Sequence, residues 1–367
     1  MRAHIAAHCK RVVVKVGTNA ICDSAGRLDA GAIENLAAQI AVAMKSGLAV
    51  TLVASGAIGS GMGEMGLPAR PKTMPQLQAT AAVGQGLLMQ TFHDIFARHG
   101  VKVAQVLLTR DDFEHRTRYL NIRHTLAALE EFGALPIINE NDTVAVEEIR
   151  FGENDILAAL VATMLGADLA VFLTSVEGVL REGVVLDVIE QVDDSALSLV
   201  QVQKTHLGSG GMGTKLAAAS VVTRAGEIAV IASSRTPNVL GRILAGEKIG
   251  TVFVPAKQRM SSRRRWIGHA SRPAGKIVVD DGAARALTQQ GKSLLPSGIV
   301  AVSGKFARGA TLSVFDRRGN EIARGLANYS AEQVNKIKGL KTSAIAKALG
   351  DKPYDEVIHR NNMTVKT

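Results

Sequence analysis

Residues 208–232 read GSGGMGTKLAAASVVTRAGEIAVIA. A glycine-rich loop, a helical pattern over Lys215–Ala225 and an apolar strand over Glu227–Ala232 follow one another directly. In the loop, Gly208–Lys215, four of the first six residues are glycine. Such a backbone can curl with its N–H groups inward and make a nest for an anion. The helix behind it would add a dipole and unpaired N–H groups, which also favour phosphate. Lys215 contributes a mobile point charge. A flexible surface loop is the competing reading, and for a lone glycine-rich run it is the commoner one. Two familiar phosphate patterns do not fit. Thr214 separates Gly213 from Lys215, against G-x-x-x-x-G-K-[ST], and no buried strand runs straight into the loop, as a dinucleotide fingerprint would need.

Outward from this stretch the same alternation recurs. Strand patterns fall at Val12–Val16, Ala49–Ala54, Val101–Leu108, Ala134–Asn139, Leu169–Leu173 and Thr251–Val254. Helical patterns fall at Ala32–Met44, Pro75–Arg98, Tyr119–Phe132, Ile156–Leu165 and Pro237–Ala245. This order predicts an α/β fold, an open and mostly parallel sheet with helices on both faces. Ligands of such sheets sit beyond the carboxyl ends of the strands. Residues 257–274 are polar and basic and read as a linker between a first domain, 1–256, and a second, 275–367. The second reads as small and β-rich, with strands at Lys276–Val279, Ser297–Val302, Thr311–Phe315 and Ile322–Leu326. Helices are expected there at Ala283–Gln290, Ala331–Ile337 and Ser343–Leu349.

Composition bounds the function. The chain has 367 residues, 47% of them hydrophobic and 4% aromatic, so a sizeable core is built mainly from Ala, Val, Leu and Ile. Its two cysteines, Cys9 and Cys22, cannot make a disulfide framework or a structural zinc site. That fits a reducing, cytoplasmic setting. No apolar run approaches the length of a signal peptide or a membrane span. The net charge of +10 is uneven: residues 255–367 hold 21 Lys and Arg against 8 Asp and Glu, a net of +13. A basic module on a near-neutral body suggests its own partner, nucleic acid being the obvious candidate; a merely solvated basic domain is the alternative.

Polar residues gather where the strands end. Lys15 sits inside an apolar strand, just before Gly17-Thr18-Asn19. It either faces solvent from an edge strand or must reach a partner, since burying its charge alone is costly. Ser55-Gly56-Ala57 is a small-residue turn suited to close approach by a ligand. Asn139-Glu140-Asn141-Asp142-Thr143 is dense in hydrogen-bonding groups, although an Asx-rich turn would look the same. Gly152-Glu153-Asn154-Asp155 opens a helix, where ordinary capping competes with function. Thr174-Ser175 closes another strand. Two lysines, several carboxylates and two glycine-rich turns on one edge suit a polyphosphate, whose transfer is mainly a matter of neutralising charge. No His/Cys cluster suggests a transition metal, and magnesium held by phosphates and water needs few protein ligands. Gly61–Gly66 matches G-x-G-x-x-G but lies too far past its strand, and Gly291-Lys292-Ser293 lacks the first glycine of a Walker loop, which would fall at Ala286.

Together these stretches resemble the glutamate 5-kinases of the amino acid kinase family. The resemblance lies in VVVKVG, VASGAIGSG, QLQATAAVGQ, RYLNIRHTL, PIINENDTV, FGENDILAALVA and GSGGMGTKLAAA. GKIVVDDGAARAL, GKSLLPSGI, GKFARGATLSV, IARGLANYSAEQ and EVIHRNNM resemble the PUA domain, an RNA-associated fold joined to bacterial members. The resemblance covers nearly the whole chain and implies an ATP-dependent, magnesium-assisted phosphorylation of the L-glutamate γ-carboxylate, the first step of proline biosynthesis. It implies Lys15, Asp155 and Lys215 as catalytic, with Asp155 pairing both lysines. It implies Ser55, Gly56, Asp142 and Asn154 for glutamate. For the nucleotide it implies Lys15, Thr174, Ser175 and the run Ser209, Gly210, Gly211, Met212, Gly213, Thr214 and Lys215. No residue is implied as a metal ligand. A homo-oligomer, dimer or tetramer, and feedback inhibition by proline are implied as well, and RNA is a candidate partner of the PUA domain. The family usually has Thr-Asp where this chain has Thr174-Ser175, and Glu177–Glu182 replaces its usual following segment, so the base and ribose pocket departs from the pattern. Two alternatives stand beside this reading: an RNA-binding protein with a vestigial kinase domain, and a kinase of another small acid such as acetylglutamate, carbamate or UMP.

Overall fold

The computed structural model describes residues 1–23, 26–145, 153–192, 211–256, 267 and 272–366. The chain divides into two units. The larger is built on an eight-stranded sheet. Its strands are β1 (Arg11–Val16), β2 (Ala49–Ala54), β3 (Lys102–Leu108), β4 (Ala134–Glu140), β5 (Leu169–Thr174), β8 (Val188–Ile189), β9 (Ile228–Ser233) and β10 (Thr251–Phe253), in the order β3-β4-β2-β1-β5-β9-β10-β8. Pairing is parallel from β3 to β9. β10 turns antiparallel to β9, and β8 pairs parallel with β10. A two-stranded hairpin, β6 (Leu180–Arg181) and β7 (Val184–Val185), stands apart from this sheet.

The central strands are buried on both faces. After its first residue, every residue of β1 and β2 is buried, and all of β9 is. That is why these segments read as unbroken apolar runs, as parallel strands covered on both sides do. Asp168 ties the start of β1 down by accepting from the backbone N–H groups of Lys10 and Arg11, at 2.9 and 3.0 Å. The helix Ala30–Lys45 begins with the Asp29 side chain accepting from Ala32 N–H at 3.0 Å. It buries Ile33, Leu36, Ala37 and Ile40, one face at helical spacing, in the core shared with β1 and β2.

The helix Ala57–Glu64 was not legible as such, nor were the short helices Thr18–Ile21 and Arg110–Glu114. Ala57–Glu64 follows β2 directly and covers most of the G-x-G-x-x-G match. It crosses the helix Met74–Arg98 at very short range. A Cβ at Gly84 would lie 1.8 Å from the Ala57 carbonyl oxygen, and one at Gly61 1.9 Å from that of Thr80. These glycines serve a backbone-to-backbone helix crossing. Observed ends otherwise differ from expectation by a few residues, as at Arg116–Glu131 and Met212–Arg224. The short helix Arg2–His8 and the strands β6 to β8 carry too few residues for a periodic signal.

The smaller unit holds a five-stranded sheet. Its strands are β11 (Gly275–Val279), β12 (Ile299–Ser303), β13 (Thr311–Phe315), β14 (Glu321–Leu326) and β15 (Met363–Val365), in the order β12-β11-β13-β14-β15. Its core gathers Ile277, Leu287, Leu312, Val314, Tyr329 and Ile358. The helix Asp281–Gln290 ends on Gly291 at φ +60°, so the Gly291-Lys292-Ser293 run is a helix stop and no Walker loop. Residues 257–266 and 268–271, most of the expected linker, lie outside the described residues.

Candidate active site

The carboxyl ends of β1, β2, β4 and β5 share one edge of the parallel sheet. Lys15 is the penultimate residue of β1, in register with Val53 of β2 and Phe172 of β5. It is a central-strand lysine, 5% exposed, so the edge-strand alternative falls. Asp155 lies in the first turn of the helix Glu153–Leu165, which packs on β1, and is fully buried. Lys215 lies in the first turn of the helix Met212–Arg224, which packs on that same helix. Lys15 Nζ stands 2.7 Å from Asp155 Oδ1, and Lys215 Nζ 3.2 Å from Oδ2. The Thr214 hydroxyl donates to Oδ2 at 2.9 Å.

The electrostatics follow from the geometry. Burial works against the Asp155 carboxylate, but Lys15 and Lys215 outweigh it and hold its pKa below the ordinary carboxylate value. Burial pushes Lys15 below the ordinary lysine value; Asp155 pulls it back up and Lys215 pushes it down again. One carboxylate therefore anchors two lysine side chains in a space of low exposure. Such a cluster suits an anion that gains charge in one place during a reaction.

Around this cluster the polar ends of the strands take their places. Ser55 N–H donates to the Val16 carbonyl at 3.1 Å, closing the end of β2 onto β1. Gly56 stands at φ +117°, a conformation that L side chains rarely adopt, and turns the chain into the helix Ala57–Glu64. Asp142 follows β4, and its charge offsets part of the burial that lowers the Arg70 guanidinium. Asn154 Nδ2 donates to Asn139 Oδ1 at 3.1 Å, and Asn139 Nδ2 donates to Gln85 Oε1 at 2.7 Å. Arg70 and Gln85 were not among the expected site residues, and Asn139 was expected only as the first of a polar run at the end of β4; Arg70 comes from a loop, Gln85 from the helix Met74–Arg98, and no spacing joins them.

Gly211 caps the helix that begins at Met212, so Met212, Gly213 and Thr214 form its first turn and are not part of a loop. Ser209 and Gly210 lie outside the described residues. Thr174 ends β5 with its carbonyl accepting from Ser234 N–H at 2.8 Å, and Ser175 is exposed beside it.

Residues 10–232 match the amino acid kinase family, and residues 275–349 match the PUA domain. The chain belongs to the amino acid kinase family. A glutamate 5-kinase from Caldanaerobacter subterraneus is 49% identical over 97% of this chain and 97% of its own length. Glutamate 5-kinases from Moorella thermoacetica and Geobacter sulfurreducens are 46% and 43% identical, over 97% and 100% of this chain and 96% and 100% of their own lengths.

In this amino acid kinase the stretch after Thr174 folds into the β6–β7 hairpin. Its turn holds Glu182 at φ +53° and Gly183 at φ +81°. The Thr251 hydroxyl donates to the Leu186 carbonyl at 2.6 Å, and its oxygen accepts from Val179 N–H at 2.9 Å, fastening the hairpin to the start of β10. A Cβ on Gly178 would lie 2.7 Å from that hydroxyl, so the fastening needs glycine there. No group of three or more His, Cys, Asp or Glu side chains able to hold a metal occurs among the described residues. Asp155 is committed to two lysines. This donor set fits a magnesium ion that arrives on nucleotide phosphates and keeps its waters. No helix among the described residues is long and apolar enough to cross a membrane.

Proposed function

We propose that this chain transfers the γ-phosphoryl group of ATP to the γ-carboxylate of L-glutamate, giving L-glutamyl 5-phosphate for proline biosynthesis. The reading rests above all on the buried Lys15–Asp155–Lys215 cluster at the carboxyl edge of the sheet. A carboxylate nucleophile is already deprotonated at neutral pH, so the step needs no general base. It needs two anions held in line and the charge between them neutralised. Lys15 would touch the phosphoryl group in transit. Lys215 would meet the charge growing on the leaving nucleotide. Asp155 would keep both ammonium groups at a fixed spacing. Ser55, Gly56, Asp142 and Asn154 would hold glutamate. Thr174, Ser175 and the residues from Ser209 to Thr214 would hold the nucleotide. Magnesium, bound to the phosphates, would supply further charge neutralisation.

The domains are proposed as 1–256 for the kinase and 275–367 for the PUA domain, with 257–274 between them. We also propose, as the family resemblance implies, a cytoplasmic homo-oligomer, dimer or tetramer, restrained by proline. The net charge of +13 over residues 255–367 favours RNA as a second partner. In the smaller unit a cavity of about 810 Å³ carries Lys292 and Arg360 but also Asp280 and Glu356, a mixed lining for a polyanion.

The test is ADP release with ATP and a panel of acceptors, with hydroxylamine present to trap an acyl phosphate as its hydroxamate. Glutamate-dependent ADP release with matching hydroxamate is the expected outcome. Turnover with acetylglutamate, carbamate or UMP in place of glutamate would reassign the acceptor. No turnover together with tight, salt-sensitive RNA binding would sink the kinase reading.

A further inference from the structure

Three amides form a chain beside the cluster. Gln85 comes from the helix Met74–Arg98, Asn139 from β4, and Asn154 from the start of the helix Glu153–Leu165. Their direction is set at one point. Glu140 N–H, a backbone group that can only donate, meets Asn139 at 2.9 Å, so the atom there is Oδ1. The other end of Asn139, its Nδ2, then donates to Gln85 Oε1 at 2.7 Å. Asn154 must offer its own Nδ2 to Asn139 Oδ1, at 3.1 Å. Two ends have no hydrogen-bond partner among the described residues: Gln85 Nε2, a donor, and Asn154 Oδ1, a buried acceptor.

We infer that Gln85 is a positioning residue for the substrate's ammonium group, acting through Asn139 and Asn154. The inference rests on the proposed glutamate kinase reading. With both carboxylates ionised, glutamate has one donor group, its α-ammonium. A buried amide oxygen without a partner matches that donor, and an amide NH2 in its place would repel it. Asn139 is 2% exposed, so its NH2 needs an acceptor. Gln85 Oε1 is that acceptor. Without it, the Asn139 NH2 is left buried with no acceptor, so Asn139 is held less firmly, and with it Asn154, whose Nδ2 donates to Asn139 Oδ1 and whose own Oδ1 the substrate needs. Gln85 thus holds the chain of amides in the order that keeps the Asn154 oxygen aimed and open.

The test compares Gln85→Met, which keeps the length and loses the acceptor, with Gln85→Glu, which keeps an acceptor oxygen. Each is assayed with L-glutamate and with glutarate, which lacks the amino group; the Ki of glutarate as a competitive inhibitor gives its affinity whether or not it is turned over. In Gln85→Met the KM for glutamate should rise about tenfold, with kcat within about threefold and the glutarate Ki unchanged. Gln85→Glu should return the glutamate KM to within about threefold of the parent. An equal loss with both ligands would reduce Gln85 to a packing residue and overturn the inference, as would an unchanged glutamate KM in Gln85→Met. If the parent protein turns over no glutamate at all, the proposed function fails and takes the inference with it; the two failures are told apart by the parent's own activity.

Discussion

Asp155→Asn is the substitution that strikes the cluster hardest with the least change of shape. The parent side chain is fully buried and holds two ammonium groups whose own side chains are each 7% exposed. Asparagine keeps an oxygen for the Thr214 hydroxyl but no charge for Lys15 or Lys215. Breaking a buried pair by removing one partner costs about 3–5 kcal/mol, because the other charge stays behind. Part of this is relieved, since Lys15 can give up its proton. Burial and Lys215 already push its pKa down, and the substitution removes what pulls it up. We therefore expect a loss near the lower bound, about 3 kcal/mol at pH 7. A lysine that is partly neutral and a lysine without its anchor both fail in the transition state, so kcat should fall about 100- to 1000-fold.

Urea unfolding followed across pH separates the causes. The carboxyl of Asp155 has a folded pKa below its unfolded value, so its stabilisation is present above the unfolded value and lost as pH falls through the folded one. In acid the parent therefore loses what the variant never had, and the two curves converge. Lys15 has a folded pKa below its unfolded value of about 10.5, so between the two the unfolded chain holds more protons and stability rises with pH. That rise should begin at lower pH in Asp155→Asn than in the parent. A variant with parental kcat and a parental urea midpoint at pH 7 would refute the argument that one carboxylate sustains both lysines.

Three further substitutions test other parts of the site. Lys215→Ala should lower kcat far more than it raises the glutamate KM, because its charge matters most as phosphoryl transfer proceeds; steady-state kinetics with an unchanged kcat would count against its role. Asp142→Ala should act mainly on glutamate binding, and a parental glutamate KM would remove Asp142 from the substrate site. Gly84→Ala places a Cβ 1.8 Å from the Ala57 carbonyl and 2.3 Å from the Gly61 nitrogen. Backbone cannot rotate aside as a side chain can, so stability should fall by about 3 kcal/mol in urea unfolding, and a parental midpoint would show that the two helices can part without cost.

What was legible in the sequence was whatever burial writes into a continuous run. β1, β2, β5 and β9 are covered on both faces, so each is an apolar segment bounded by polar or small residues, and the alternation with helices follows. The polar residues at the ends of those runs were legible for the same reason: a lysine inside VVVKVG breaks a pattern that burial otherwise enforces. Its partner Asp155 was visible only through family resemblance, since the two stand far apart in the chain and only the fold brings them together. The helix Ala57–Glu64 was hidden for an opposite reason. Three of its eight residues are glycine, which lowers helix propensity by about 1 kcal/mol each relative to alanine. Its stability comes from the crossing with Met74–Arg98, where Gly61, set against Thr80 and Gly84, permits contact that a side chain would block. The Gln85–Asn139–Asn154 chain was hidden more completely, because a polar network joins elements through atoms and leaves no period behind. A phosphoryl-transfer site built on a parallel sheet is therefore announced by its charges, while the groups that orient those charges and the substrate appear only once the strands and helices have been brought together.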